Sequence, residues 1–167
     1  MNRTYATVCV SVILTMLCGP AVPAPAPTVY STWENSIEVD KCASAWLIKR
    51  FVDKNAEFKF YPQGTFDMAG VPFDVPTAKL RSGRDRSTFE SVISEYGISD
   101  PAVIAISKLI REIEMNVWQN KRSDLAGSLP KLVEGVRLRA KDDHDALRQG
   151  FVIMDALYAY TKKQVGS

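Results

Sequence analysis

The chain has 167 residues, 46% apolar and 24% charged, which suffices for one domain with a real core and not comfortably for two. A net charge of +2, with no block of like charge, gives no argument for a nucleic-acid or membrane-surface partner. There is no phosphate-loop pattern, no dinucleotide glycine fingerprint and no paired-cysteine zinc motif, and the single histidine, His144, cannot build a histidine-rich metal site, so neither a metal nor a cofactor is expected.

Arg3, the apolar run from Val8 to Leu17 and the small residues Gly19-Pro-Ala21 have the layout of an export signal, expected over residues 1–21. The run is too short to cross a bilayer comfortably, so no transmembrane span is expected after cleavage and the chain is expected to be exported, periplasmic or secreted. Cys18 offers a lipoprotein alternative, but Leu17 is a poor residue to precede a lipidated cysteine. Residues 22–35 read as a proline-rich linker leading into a first strand at Val29 to Trp33, since alternate prolines forbid a helix. With Cys9 and Cys18 lost alongside the signal, Cys42 is the one mature cysteine and no intramolecular disulfide is expected. Residues 36–167 then make a single domain.

Val39 to Asp53 reads as a helix, capped by Asp40 or Ser36. At about 100° per residue, Ser44, Leu47, Ile48 and Phe51 form a core stripe, while Cys42, Trp46, Lys49, Arg50 and Asp53 gather on the other side. Beside Lys41 and near a helix start, Cys42 is either a thiol of lowered pKa or a small, half-buried apolar residue. Trp46 next to Lys49 and Arg50 is either a cation–π wall of a pocket or plain packing.

Glu57 to Tyr61 alternates polar and aromatic residues as a strand does, and Pro62-Gln-Gly64 turns the chain. Val71 to Pro76 reads as an extended edge segment, with a few more paired residues at Ala78 to Leu80. Next comes Arg81-Ser-Gly-Arg-Asp-Arg-Ser-Thr88. Its guanidinium groups at Arg81, Arg84 and Arg86, the hydroxyls of Ser87 and Thr88 and the amides of the following helix suit a tetrahedral oxyanion. A solvated loop whose Ser87 and Glu90 merely cap that helix is the alternative.

From Ser87 the pattern is helical: a first helix to Tyr96 stopped by Gly97, a second from Asp100-Pro101 with Val103, Ile106, Ile110, Ile113 and Val117 on its apolar face. A third spans Asp124 to Leu138, interrupted or offset at Pro130, and a long fourth runs from Asp142 or Asp143 to about Lys163 with Leu147, Phe151, Met154 and Tyr158 inward. His144, at that helix start, suits a solvated capping turn better than a serine triad. Asp155, in an apolar stretch, calls for a partner if buried, from Arg148 or an arginine elsewhere, or else serves a site. The fold class is α+β, a small early β-sheet packed against a predominantly helical C-terminal portion.

The segments Val39 to Asp53, Pro72-Phe-Asp-Val-Pro76, Ser87-Thr-Phe-Glu90 with Tyr96-Gly-Ile-Ser-Asp-Pro101, and Asp142-Asp-His144 through Asp155-Ala-Leu-Tyr-Ala159 occur in an order that resembles the chromate-resistance family, the ChrB-type C-terminal domain. The resemblance implies a bacterial protein tied to chromate tolerance. Some relatives carry a further N-terminal domain and act in chromate-responsive regulation, a role not expected for an exported chain that lacks it. The histidine and cysteine that relatives often have before the Thr-Phe-Glu run correspond here to Ser82 or Gly83 and to Ser87, and a histidine–acid pair of the middle helix corresponds to Arg111 and Glu114. These substitutions favour anion recognition over a metal site, or else a domain that retains its fold and has lost its site. The expected function is binding of chromate or a related small oxyanion, with Trp46, Lys49, Arg50, Arg81, Arg84, Arg86 and Asp155 as candidate ligand-binding residues. Two alternatives stay open: a thiol-dependent enzyme using Cys42, assisted by Asp155 or Asp40, and an envelope interaction module with an unidentified protein partner.

Overall fold

A computed structural model describes residues 26–35, 37–115 and 123–166. The expected signal segment 1–21, Ser36 and Val117 lie outside them. Three strands, β1 (Val29–Trp33), β2 (Glu57–Tyr61) and β3 (Val71–Pro72), form one sheet in the order β2-β1-β3. Both pairings are parallel, with Val29 opposite Glu57 and Tyr30 opposite Val71. Helix α1 (Val39–Leu47) makes the β1–β2 crossover. Four helices follow: α2 (Thr88–Tyr96), α3 (Pro101–Met115), α4 (Asp124–Arg139) and α5 (Asp143–Val165). The architecture is α+β, a small sheet early in the chain and a mostly helical remainder.

Every residue of α1 is buried, and α2, α3, α4 and α5 all pack against it. The two-faced helix expected from the sequence is therefore buried on both faces. Its continuation, Ile48–Val52, is a π-helical turn. A π turn advances each residue by less than the 100° of an α-helix, so the projected faces no longer hold beyond Leu47. Phe51 packs edge-on with both Trp46 and Tyr158, which tilt against each other, the three centroids 5.5–5.7 Å apart.

The local signals of the helical half act as expected. Ser87 accepts from Glu90 N while the Glu90 carboxylate accepts from Ser87 N, a reciprocal capping box. Gly97 ends α2 in the left-handed conformation, φ 63°. Asp100 Oδ1 accepts from Ala102 N and Val103 N at the start of α3, and Asp142 accepts from Asp145 N at the start of α5. Helix α4 departs from expectation, since it runs unbroken through Pro130. Its buried Ala126, Leu129 and Val133 hold the helix to the core on both sides of the proline, which offsets one missing N–H. Gly150 of α5 lies directly on Cys42 of α1, where a side chain of even one carbon would meet Sγ.

Candidate functional site

A buried charged cluster forms around Lys41. This lysine stands in the second half-turn of α1 with 2% of its side chain exposed. Its Nζ donates to Trp33 O at 3.2 Å, at the C-terminal end of β1, and pairs with Asp74 Oδ2 at 3.6 Å. Asp74 follows β3 with φ 52°, a left-handed backbone that an aspartate adopts at some cost. Its Oδ1 accepts from Thr88 Oγ1 at 2.7 Å.

Thr88 links that pair to a second buried carboxylate. Asp40 Oδ2 accepts from Thr88 N at 2.6 Å and Oδ1 accepts from Phe89 N at 2.9 Å. Asp40 was expected to cap its own helix. It lies instead inside the first turn of α1, where Glu38 occupies the cap position without a capping bond, and it satisfies the free amides of α2. Capping is thus exchanged between helices and fixes α1 against α2.

Burial sets the protonation of this cluster. It pushes Asp40 up to about 6, with the charge of Asp74 adding to the rise and the Phe89 and Thr88 hydrogen bonds opposing it. Asp74 is also raised by burial, against the pull of Lys41 and Thr88. Lys41 is lowered by burial, against the charges of Asp74, Glu38 and Asp143. Glu38 is raised by burial and by Asp74.

Lys41 and Asp74 form one wall of a cleft of about 450 Å³, completed by Glu38, Gln63, Arg81 and Ser82. Its volume accommodates a tetrahedral oxyanion with several waters, each of which takes roughly 30 Å³. Arg81, Arg84 and Arg86 are exposed on the loop that enters α2, and none of the three forms a salt bridge among the described residues. The cleft therefore has a floor of mixed charge beneath a cationic loop.

The other candidates lie elsewhere. Lys49 and Arg50 border a separate cavity of about 440 Å³ with His144, which shares no lining residue with the cleft. Lys49 and Arg50 therefore border a different cavity from the one that Arg81 lines. Lys49 Nζ donates to Ala56 O at 2.8 Å. Arg50 grips Asp155 through Nε and Nη2 at 3.0 and 2.8 Å, and Trp46 Nε1 donates to the same carboxylate at 2.7 Å. Asp155 is held below the usual carboxylate range, by the Arg50 hydrogen bonds first. Its arginine comes from another element, while Arg148 pairs with Asp145. This knot ties the π turn to α5. Trp46 is 1% exposed and lines neither of these two cavities, and a nearby cation–π contact is Arg50 over Phe151 at 5.7 Å.

Cys42 departs furthest from its reactive reading. The thiol is fully buried, and burial pushes it up to about 12, so proximity to Lys41 and the helix start does not activate it. Arg111 pairs with Glu90 and so supports the capping box. His144 is exposed and sets its ring edge against Phe60 at 4.9 Å. No group of three or more His, Cys, Asp or Glu side chains is placed to hold a metal ion among the described residues, and none of their helices is long and apolar enough to cross a membrane.

Sequence reasoning passed over Lys41, Asp74 and Glu38. A usable signal existed: Lys41 and Asp74 each interrupt a segment destined for the core, and a charge in such a place needs a partner.

The family model for the C-terminal domain of ChrB matches residues 30–161, which include the whole cleft. Protein ChrB of Cupriavidus metallidurans is 26% identical over 147 residues, covering 83% of this chain and 44% of that protein. The chain thus spans less than half the length of that relative. No solved structure matches it.

Proposed function

Since the chain belongs to the ChrB C-terminal domain family and is associated with chromate resistance, we propose that it binds chromate or a closely related oxyanion in the Lys41–Arg81 cleft. The observation that carries this reading is the loop from Arg81 to Arg86, whose three guanidinium groups form no salt bridge among the described residues and two of whose residues, Arg81 and Ser82, line the cleft above Lys41. Guanidinium forks and hydroxyls are the donors that a tetrahedral oxyanion accepts from, and Arg84 and Arg86 add attraction from the rim. The binding is non-redox: the buried thiol takes no part. Arg3, the apolar run from Val8 to Leu17 and Gly19-Pro-Ala21 support a role outside the cytoplasm, apart from transcriptional control.

Calorimetric titration of potassium chromate into the protein tests the reading. Chromate is expected to bind at sub-millimolar concentration, and Arg81→Ala to weaken it about tenfold, the loss of one charge-assisted hydrogen bond. Absence of heat at millimolar chromate, or an unchanged affinity in Arg81→Ala, would count against it.

A further inference from the structure

An oxyanion in this cleft meets acceptors as well as donors. Glu38 lines it with a carboxylate that makes no hydrogen bond among the described residues. Asp74 spends one oxygen on Thr88 and faces Lys41 with the other at 3.6 Å, beyond hydrogen-bond length, so lone pairs remain. An ionised carboxylate only accepts, so it repels a bare anionic oxygen and welcomes an O–H.

We propose that the cleft selects tetrahedral oxyanions that carry their own proton, by accepting the ligand O–H at Glu38 or Asp74 while Lys41 and Arg81 take the unprotonated oxygens. The proposal rests on the oxyanion reading and names the ligand class for the same site. Chromate and phosphate exchange a proton near neutral pH and so present an O–H to the site. Sulfate carries none there. It matches chromate in shape and charge, and cations alone discriminate poorly between the two. A paired O–H is what supplies discrimination, because the analogue that lacks it leaves an acceptor facing an acceptor.

The surrounding charges fit this division. Glu38 and Asp74 act on the ammonium of Lys41, and Asp40 in turn feels the charge of Asp74. Asp143 acts on Lys41 from the start of α5, Thr88 of α2 offers a hydroxyl, and Arg81 faces in from the loop. Asp40 is committed to the amides of α2 and does not line the cleft, which leaves Glu38 and Asp74 as the acceptors. Burial raises both, so their hold on a shared proton is already strengthened before a ligand arrives.

The test is calorimetry with potassium chromate, sodium phosphate and sodium sulfate on the full chain, in thiol-free buffers at pH 6.5 and pH 8. Chromate and phosphate are each expected to bind roughly tenfold or more tightly than sulfate at the lower pH. The chromate preference is expected to shrink at the higher pH as the ligand loses its proton. In Glu38→Gln/Asp74→Asn the amides donate to a bare oxygen, so sulfate is expected to approach chromate. Asparagine tolerates the left-handed backbone at position 74, and Glu38→Gln alone, at an exposed side chain, serves should the double variant not fold. Equal binding of sulfate and chromate by the unaltered protein overturns the selectivity and leaves the oxyanion reading standing. Binding of none of the three anions overturns both. Selectivity that survives in the variants removes the carboxylates from the account.

Discussion

The contact between Gly150 and Cys42 shows how much one atom decides. Alanine in place of glycine inside a helix ordinarily stabilises by about 1 kcal/mol. At position 150 the added methyl meets Cys42 Sγ, and Gly150→Ala is expected to lower stability by about 1–3 kcal/mol, as overpacking does. Removing the sulfur relieves the clash, so Gly150→Ala in a Cys42→Ala background is expected to be neutral or stabilising relative to Cys42→Ala alone. A urea-denaturation double-mutant cycle reads the coupling directly. Thr32 offers a contrast. Its hydroxyl and that of Ser31 are buried without a hydrogen-bond partner among the described residues. Thr32→Val removes an unsatisfied polar atom at nearly constant shape, and a change between zero and about +1 kcal/mol is expected in the same assay. Neither position can be singled out from sequence. A glycine in a helical pattern reads as a weakness, and a threonine in a strand reads as ordinary, until the opposing element is in place.

At the scale of elements, what is legible depends on whether the signal is local. The capping box at Ser87, the stop at Gly97 and the Asp100 cap involve residues a few positions apart, and each forms as the spacing dictates. Ser87→Ala is expected to cost about 1 kcal/mol, with thermal melting as the measurement. It leaves Glu90 held by Arg111 and by the backbone amide of residue 87. Contacts between elements were hidden. Asp40 sits four residues before Ser44 and resembles a cap for its own helix, yet its acceptors are used 48 and 49 residues away, on Thr88 and Phe89. The π turn at Ile48–Val52 is equally silent, because nothing in Ile-Lys-Arg-Phe-Val marks it, and it redirects Lys49 and Arg50. That is why a projection at constant angle, which set these two cations on one side with Cys42, Trp46 and Asp53, does not hold beyond Leu47. The Lys41–Asp74 pair needed the parallel arrangement of β1 and β3, which brings residues 33 positions apart into contact and leaves no periodic trace.

For the whole molecule, the buried cluster makes stability depend on pH in two opposed ways. Asp40 titrates at about 6 in the folded chain, above the ordinary carboxylate value near 3.9. The folded state therefore binds more protons between these values. Its contribution is fully present below the lower one and is lost as pH rises through about 6. Asp74 and Glu38, also raised, act in the same sense. Lys41, lowered by burial, acts oppositely at higher pH: the unfolded chain binds the extra proton, so stability returns as pH climbs toward the ordinary lysine range. The cluster's contribution has its minimum between the two windows. Asp40→Asn is expected to flatten the acid limb, seen as a smaller difference between urea midpoints at pH 4.5 and pH 7.5. Asp40→Ala is expected to cost about 2–4 kcal/mol, since two buried amides of α2 lose their acceptor.

The covered thiol under α5 then acquires a practical meaning. An alkylating reagent reaches Cys42 Sγ only when α5 lifts from α1, so the labelling rate counts openings of the fold. Mass spectrometry of the peptide containing residue 42 separates this signal from Cys9 and Cys18. Any anion that binds the closed form slows labelling by the factor one plus its concentration over Kd. The chain thus carries its own ligand gauge, with no tag and no dye, and chromate, phosphate and sulfate can be ranked on it by the time each one keeps a single sulfur hidden.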